Sequence, residues 1–276
     1  MSKYKMITFD IDGTLVDSKK ELSHGNIDAM NKAIDAGKEV VLCTGRSMAE
    51  LEMFFELVPR LRYLVMASGA IVYDYKEKSY IYSNEIQPDM YEELIQIGKL
   101  EDCMIQFIGQ TCEIEKDCFE HLDRYYMSQY KKSYDEVCLK QDDLLESYRA
   151  NPIPMAKINF YHTDVEGRDR TENRIKERNL PVNMVYAEKT SLECCLAGTN
   201  KGTGLIKLCE HLGITLEEVI SVGDSYNDID VLKISGLSVA VSNARKEVLE
   251  LCDVTVADND HDGCAEAVYQ YLLENE

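Results

Sequence analysis

The sequence predicts an α/β protein with a doubly wound parallel-sheet (Rossmann-like) core and an inserted α+β cap domain. Three observations support this. Short apolar strands alternate with amphipathic helices in the first third of the chain, a mixed pattern follows, and the alternation returns near residue 189. Alternating strands and helices are typical of parallel sheets joined by right-handed crossovers. We therefore predict a core of residues 1–83 and 188–276 around a cap of residues 84–187.

Hydrophobic periodicity predicts the helices and strands of the first core stretch. Residues 5–9 and the apolar run EVVLC at 39–43 indicate strands, because a strand covered by helices on both faces lacks a polar side. Residues 23–36 repeat apolar side chains at helical spacing, with Ser23 as the N-cap and Gly37 as the stop. The remaining elements are a helix from Ser47 to about Val58, a strand at 63–67 and a hairpin over 71–82.

The middle of the chain and its last stretch differ in pattern. In the middle we expect helices at 88–99, 116–131 and 165–178 and strands near 103–108 and 155–161. In the last stretch we expect strands at 191–197, 218–224 and 237–241, and helices at 202–213, 228–235, 243–251 and 262–273. The run SLECCLA at 191–197 is assigned to the core, because the regular alternation resumes there.

The charge balance restricts the classes of partner. The chain has 50 acidic and 30 basic residues, a formal net charge of −20 and a pI near 4.7. Such a surface repels phosphate backbones and anionic membranes, so we expect neither nucleic acid nor a membrane as a partner. The longest apolar runs are also too short to span a bilayer. A small anionic substrate is still compatible with this net charge, because a metal ion or a local cation makes the electrostatic potential inside one pocket positive.

The ten cysteines are expected to be free thiols in a reducing cytoplasm. No CxxC pair is present, and the N-terminal MSKYKMITFD runs into a strand without an apolar leader segment. Cys43, Cys209 and Cys252 fall within apolar periodic stretches, where a thiol behaves as a small buried hydrophobe. A cytoplasmic location is therefore the expectation.

Polar residues from four segments of the chain are predicted to meet at one edge of the core sheet. Asp10 and Asp12 end the first strand, Thr44 follows EVVLC, and Asp224 follows VISV. Lys201 lies in the loop after SLECCLA. Ligands of open parallel sheets bind outside the carboxyl ends of the strands. This convergence is the main evidence for a functional site.

The residue types in this cluster favour phosphoryl transfer. The carboxylates of Asp10, Asp12 and Asp224 need a cation, and hard oxygen ligands with few histidines favour Mg²⁺. Asp10 is then the nucleophile that forms an aspartyl-phosphate, and Asp12 is the general acid and base. Thr44 donates to a phosphoryl oxygen, and Lys201 supplies positive charge for the equatorial oxygens.

These segments resemble the motifs of the haloacid-dehalogenase-like hydrolase superfamily. The matching segments are DIDGT at 10–14, TGR at 44–46, Lys201 with Gly202, and GDSYND at 223–228. Their spacing is similar to that of the Cof-type subfamily, in which an α+β cap is inserted between the second and third motifs.

The resemblance implies ligand sets and a substrate class. The metal would bind the Asp10 carboxylate, the Asp12 main-chain carbonyl and Asp224, with Asn227 and Asp228 completing the network around metal and lysine. The implied metal-binding residues are Asp10, Asp12, Asp224 and Asp228, and the implied substrate-binding residues are Thr44, Gly45, Arg46, Lys201 and Asn227. Proteins of this kind are phosphatases of small phosphorylated metabolites, often sugar phosphates.

The sequence leaves alternative functions open. A phosphomutase that returns the phosphoryl group to the same hexose would carry the same motifs. A non-catalytic protein that binds a phosphorylated metabolite is a hypothesis of another class. A dehalogenase is disfavoured, because it does not need a trio of metal-binding carboxylates. For Arg46, a substrate contact and a surface position are equally supported, and no motif specifies the substrate or the oligomeric state.

Overall fold

The computed structural model describes residues 3–109, 111–186 and 188–273. The chain divides into two compact units. The core unit comprises the described residues of Met1–Gly45, Glu52–Ser83 and Asn200–Glu276. The cap unit comprises those of Arg46–Leu51 and Asn84–Thr199.

The first stretch of the core unit has the expected strands and helices, apart from a shorter second helix. Its elements are β1 (Met6–Phe9), α1 (His24–Asp35), β2 (Glu39–Cys43), α2 (Glu52–Leu57), β3 (Tyr63–Met66), β4 (Ile71–Asp74) and β5 (Ser79–Ser83). Ser23 is the N-cap of α1, and its hydroxyl accepts the Asn26 N–H at 3.0 Å. The expected helix from Ser47 begins instead with a 3-10 turn, where the Ser47 N–H donates to Glu50 Oε2 at 2.8 Å.

The cap unit contains more elements than its periodicity predicts. They are α3 (Pro88–Gly98), β6 (Cys103–Ile108), β7 (Cys112–Glu115), α4 (Lys116–Glu120), α5 (Lys131–Val137), β8 (Cys138–Gln141), α6 (Leu144–Ala150), β9 (Lys157–His162), α7 (Val165–Glu177), β10 (Val182–Val185) and β11 (Ser191–Leu196). The prediction of one helix over 116–131 is wrong. The chain there forms α4 and two 3-10 turns. His121, with a non-helical backbone, ends α4, and Tyr126, with a left-handed φ of 59°, ends the first 3-10 turn.

The last stretch returns to the core unit. Its elements are α8 (Lys201–Leu212), β12 (Val219–Gly223), α9 (Ile229–Ile234), β13 (Leu237–Val241), α10 (Lys246–Leu251), β14 (Val254–Val256) and α11 (Gly263–Ala267), which continues into a π-helical turn. Asn200 caps α8, with its Oδ1 accepting the Thr203 N–H at 2.8 Å. Gly213 ends α8 with a φ of 66°, a conformation that glycine adopts without strain.

The core sheet is doubly wound, as predicted. Within the described residues its strand order is β14-β13-β12-β1-β2-β3-β4-β5. The strands from β14 to β3 are parallel, and β4 and β5 add an antiparallel hairpin at one edge. Every residue of β1 is buried. Because the chain winds outward in both directions from β1, the loop after this strand lies at the topological switch point of the sheet.

The strand at 191–196 corrects one prediction. It was assigned to the core, but β11 pairs with β9 and β10 in the cap sheet, whose order is β10-β11-β9-β6-β7-β8 among the described residues. All strand pairs of that sheet are antiparallel except β7 with β8. A nearly continuous apolar run is compatible with burial in either sheet, so periodicity alone does not identify its partner.

The expectation of ten free thiols is wrong for one pair. Cys112 and Cys138 are joined by a disulfide. They are register partners on β7 and β8, with their Cα atoms 4.7 Å apart. The other eight cysteines, all within the described ranges, are free. In the same ranges, no helix has the length and apolar character needed to cross a membrane.

Candidate active site

The carboxyl ends of β1 and β12 bring three carboxylates together. Asp10 follows β1, Asp224 follows β12, and Asp228 lies in the next turn. The two strands are parallel neighbours, so their ends lie side by side. One carboxylate oxygen from each of the three residues lies within 4.8 Å of the others. Residues that are more than two hundred positions apart in sequence therefore form one cluster.

Lys201, the first residue of α8, joins two of these carboxylates. Its Nζ donates to Asp10 Oδ1 at 2.5 Å and to Asp228 Oδ1 at 2.6 Å. The Lys201 side chain is completely buried. Burial by itself would lower the pKa of Lys201, but the two carboxylates hold it well above its ordinary value. Lys201 is therefore a buried cation fixed between two anionic side chains.

The cluster still carries an excess of negative charge, since three carboxylates face one ammonium group. Burial raises the pKa of Asp10 well above its ordinary value, Lys201 opposes this, and Asp228 and Asp224 add to it. Burial and Asp228 also raise the pKa of Asp224, to about 6. A divalent cation would relieve this repulsion, and carboxylate oxygens are the donors that Mg²⁺ prefers. The residues present therefore fit a magnesium ion.

Asp228 organises the loop after β12. Its Oδ2 accepts the N–H groups of Asp224 and Ser225, both at 3.0 Å, while its Oδ1 accepts from Lys201. A Cβ at Gly223 would come within 2.7 Å of the Asp228 Cβ, so this close approach requires glycine. Asp228 was predicted as a metal ligand, and its hydrogen bonds show that it also positions Asp224 and Lys201.

Asp12 is not one of the three clustered carboxylates. Its Oδ1 accepts a hydrogen bond from Lys20 Nζ at 2.9 Å, and both side chains are about one-third exposed. The next residue, Gly13, has a φ of +85°, and a Cβ there would lie 2.8 Å from Asp224 Oδ2. Asn243 Nδ2 donates to the Gly13 carbonyl at 2.8 Å. Glycine at this position therefore allows the loop after β1 to approach Asp224.

Thr44, Gly45 and Arg46 follow β2, the neighbour of β1. Thr44 is buried, and its N–H donates to the Val65 carbonyl at 2.8 Å. Gly45 ends the first stretch of the core unit. Arg46 belongs to the cap unit, where its Nη1 lies 3.5 Å from the Glu50 carbonyl oxygen. The substrate-binding roles of these three residues stay predictions.

Asn227 lies in the turn that carries Asp228. Its Oδ1 is buried and has no hydrogen-bond partner within the part of the chain that the structure describes. Buried side-chain oxygens normally accept a hydrogen bond. The turn that carries Asp228 therefore holds a buried acceptor that no described residue satisfies, and the binding role of Asn227 stays a prediction.

Sequence reasoning assigned no role to three residues of this site. Thr14 Oγ1 donates to Asp224 Oδ1 at 2.9 Å, and the DIDGT motif that contains Thr14 was a usable signal. Asn243 lies far along the chain from Gly13, and Lys20 lies in a polar loop, so neither has a local pattern that indicates its contact. Such contacts depend on how the loops meet.

A comparison with known families identifies this fold and cluster. The profile of the haloacid dehalogenase-like hydrolase family matches residues 7–268. The chain belongs to the haloacid dehalogenase-like hydrolases. The match confirms the resemblance to this superfamily and to its Cof-type members, and it covers both stretches of the core and the inserted cap unit.

Individual relatives of this haloacid dehalogenase-like hydrolase match along nearly its whole length. The chain is 28% identical to "5-amino-6-(5-phospho-D-ribitylamino)uracil phosphatase YcsE" of Bacillus subtilis, covering 98% of this chain and 96% of that protein. It is 29% identical to "Endoribonuclease YBEY, chloroplastic" of Arabidopsis thaliana over 98% of this chain, but it spans only 47% of that longer protein. A haloacid dehalogenase-like hydrolase from Bacteroides thetaiotaomicron has a similar crystal structure, with a TM-score of 0.84 and 26% identity over 97% of this chain and 99% of that one.

Proposed function

We propose that this haloacid dehalogenase-like hydrolase is a Mg²⁺-dependent phosphatase of small phosphorylated metabolites, with an aspartyl-phosphate formed on Asp10. The observation that carries the proposal is the buried Lys201, which is bonded to Asp10 and Asp228 beside Asp224. A carboxylate nucleophile next to a fixed cation suits an anionic phosphorus centre. The phosphatase named YcsE, to which the chain is similar along its length, supports a small phosphorylated substrate.

Asp10 performs the first step. One of its carboxylate oxygens forms a bond to phosphorus while the bond from phosphorus to the leaving oxygen breaks. Asp12 gives a proton to that leaving oxygen. Lys201 Nζ lies 2.5 Å from Asp10 Oδ1 and stabilises the negative charge of the phosphoryl oxygens during the transfer.

Asp12 activates water in the second step. It takes a proton from the water, whose oxygen attacks the phosphorus of the aspartyl-phosphate. Inorganic phosphate leaves, and the Asp10 carboxylate is restored. Lys20 Nζ donates to Asp12 Oδ1 at 2.9 Å and so holds this carboxyl group in place.

Asp10, Asp224 and the main-chain carbonyl of Asp12 would hold the magnesium ion, beside Asp228. When bound, Mg²⁺ supplies charge that offsets both the excess negative charge of the cluster and that of the phosphoryl group. The three clustered carboxylates support this assignment through their hard oxygen donors.

We further propose a division of roles and a location. The core unit carries the chemistry, Thr44 and Gly45 contact the phosphoryl group, and Arg46 is a further substrate-binding residue. The enzyme acts in the cytoplasm, where small phosphorylated metabolites are formed and used. Its acidic surface supports a substrate that is neither nucleic acid nor lipid.

Release of inorganic phosphate from a panel of phosphorylated metabolites tests this function. We expect turnover with Mg²⁺, no turnover with EDTA, and a loss of at least about 10³-fold in Asp10→Asn, because the nucleophile is removed. Asp28→Asn makes the same chemical change on the exposed face of α1 and should retain full activity. Turnover by Asp10→Asn at the wild-type rate would contradict the proposal, and formation of glucose 6-phosphate from glucose 1-phosphate would identify a phosphomutase.

A further inference from the structure

The disulfide of the cap unit joins an interior strand to an edge strand. Cys112 is the first residue of β7, which pairs with both β6 and β8, and Cys138 is the first residue of β8. Among the described residues, β8 is the last strand of the cap sheet and pairs with β7 alone. The bond therefore links the edge of this sheet to its interior.

Strand β8 has few other anchors. Of its four residues only Cys138 is buried, and Leu139 is about half exposed. Gln141 Nε2 donates to Glu113 Oε2 on β7 at 2.8 Å, but the Gln141 side chain is itself partly exposed. An edge strand that buries one side chain gains little free energy from packing. The position of β8 therefore depends strongly on the disulfide.

The chain between the two cysteines is irregular. Residues 116–137 form α4, two 3-10 turns and α5, and their side chains Leu122, Tyr125 and Tyr134 lie in one apolar cluster with both cysteines. The two cysteines are 26 positions apart. A disulfide that closes a loop of this length lowers the population of the opened loop about 10²-fold. The oxidation state of the pair therefore determines how often this segment opens.

The other thiols of the cap unit are poor competitors for oxidation. Four further cysteines of this unit are free: Cys103, Cys118, Cys194 and Cys195. Burial raises the pKa of Cys118 to about 11 and the pKa of Cys195 to about 12. Burial also raises the pKa of the other two. Because the thiolate is the reactive form of cysteine, these four react slowly near neutral pH.

We propose that Cys112 and Cys138 are a reversible redox site, which a low-molecular-weight disulfide of the glutathione class oxidises and the corresponding thiol reduces. In the cytoplasm, where we propose that the enzyme acts, protein disulfides are typically transient or redox-sensing. Oxidation holds β8 against β7, and reduction releases this edge together with the segment before it. The site does not depend on the proposed phosphatase function.

Oxidation of the pair proceeds in two exchange steps. Cys138 reacts first, because it lies on the edge strand, whereas Cys112 is completely buried on the interior strand. The Cys138 thiolate attacks one sulfur of oxidised glutathione, so that a mixed disulfide forms and one glutathione thiolate leaves. The Cys112 thiolate then attacks the Cys138 sulfur, which forms the protein disulfide and releases the second glutathione thiolate. The two protons of the protein thiols end on the two glutathione molecules.

Redox titration of the intact protein tests the site. The protein is equilibrated in buffers that range from fully reduced to fully oxidised glutathione, free thiols are alkylated, and each cysteine is assigned by peptide mass spectrometry. We expect Cys112 and Cys138 to convert together and reversibly in the folded protein, while the other eight cysteines stay thiols. A pair that stays reduced, or that stays oxidised, across the whole range overturns the proposal.

Hydrogen exchange measures the conformational effect in the same unmutated protein. Peptides that cover α5 and β8 should exchange about 10²-fold faster in the reduced protein than in the oxidised protein. A peptide that covers α7, in the same unit but outside the linked segment, should exchange equally in both states. Equal exchange of α5 and β8 in the two states overturns the inference.

Single variants test the order of the exchange steps. With oxidised glutathione, Cys112→Ser should accumulate a mixed disulfide on Cys138. Cys138→Ser should form one on Cys112 at least about tenfold more slowly, because Cys112 is completely buried. Cys118→Ala removes a free thiol from the same apolar cluster and is the control, since it should keep the wild-type redox titration. Faster modification of Cys112 than of Cys138 overturns the assigned order, and loss of the titration in Cys118→Ala overturns the assigned pair.

Discussion

Lys201 Nζ lies 2.5 Å from Asp10 Oδ1, although 191 positions separate the two residues along the chain. The contact joins the end of the central strand β1 to the first turn of α8, which follows the whole cap unit. Because Lys201 also bonds to Asp228, three distant segments depend on one ammonium group. The same side chain therefore supports both folding of the core unit and the proposed chemistry.

Replacing Lys201 should affect stability and activity together. We expect Lys201→Met to destabilise the metal-free protein by about 3–5 kcal/mol, because buried carboxylates lose their partner. The value of kcat should fall about 10²–10³-fold, since a preorganised charge is removed. Urea unfolding in the presence of EDTA measures the loss of stability, and initial rates measure the fall in kcat. Lys207→Met, on an exposed part of the same helix, is the control. A variant with wild-type kcat would refute the proposed role.

Magnesium binding should depend on Asp224. Asp224 lies in the three-carboxylate cluster, and Thr14 holds its Oδ1 at 2.9 Å. At a Mg²⁺ concentration of about 100 Kd, the wild type should gain about 2.7 kcal/mol of unfolding free energy. Asp224→Asn should lose most of this gain, because a neutral amide is a weaker ligand for a hard cation. Thermal unfolding with and without Mg²⁺ measures the difference, and an undiminished Mg²⁺ effect in the variant would contradict the assigned ligand set.

Two glycines in the same conformational region make a matched pair. Gly13 and Gly37 have φ values of +85° and +74°, so alanine is strained at both positions. A Cβ at Gly13 would also lie 2.8 Å from Asp224 Oδ2, whereas a Cβ at Gly37 would meet nothing within 4 Å. Both variants should lose about 1–2 kcal/mol of stability from the backbone, but only Gly13→Ala should also lose activity, by at least about tenfold. Equal kcat/KM values in the two variants would show that Asp224 tolerates displacement.

The stability of the cap unit should depend on pH through Glu101. Hydrogen bonds from Arg170 lower the pKa of Glu101 from 4.5 to about 2, against the effect of burial, and Arg174 adds to the lowering. A carboxyl group whose pKa is lower in the folded protein than in the unfolded chain stabilises the fold at pH values above the unfolded-state pKa. This stabilisation is lost as the pH falls toward 2.

Comparison of two glutamate variants tests this pH dependence. Glu101→Gln should cost about 2 kcal/mol at pH 7, and its difference from the wild type should shrink between about pH 5 and pH 2. Urea unfolding across that range measures the difference. Glu146→Gln replaces an exposed glutamate that is paired with Arg149, and it should cost less than about 0.5 kcal/mol at every pH. A pH-independent cost of Glu101→Gln would contradict the ion-pair explanation.

Much of the core could be predicted from the chain alone. The apolar runs of β1 and β2 and the polar residues directly after them locate the switch point of a parallel sheet, because strand burial and strand direction leave a local pattern. Asp10 and Asp224 follow strands that proved to be adjacent. Their predicted convergence needed only the rule that parallel strands end at the same edge.

The cap unit was harder to predict, because the wrong predictions there concern which strands and which side chains pair with one another. The run at 191–196 was correctly expected to be a strand, but a strand that is buried along nearly its whole length has the same pattern in either sheet. Cys112 and Cys138 lie in strands of four residues each, and so short a pattern does not identify the partner strand, so their pairing could not be read from the sequence. The side-chain hydrogen bonds of Asn159 likewise depend on Gln106, its register partner on a distant strand, and on Tyr161.

The sequence by itself determined the family, the doubly wound core and the candidate residues Asp10, Asp12, Thr44, Asp224 and Lys201. Only the tertiary structure decided that Lys201 joins Asp10 to Asp228, that β11 belongs to the cap sheet, and that Asn159 keeps an unpaired buried oxygen. The physical reason is that side-chain periodicity records which face of an element is buried. It contains no information on which distant residue covers that face, and hydrogen-bond geometry is defined only once both partners are in place.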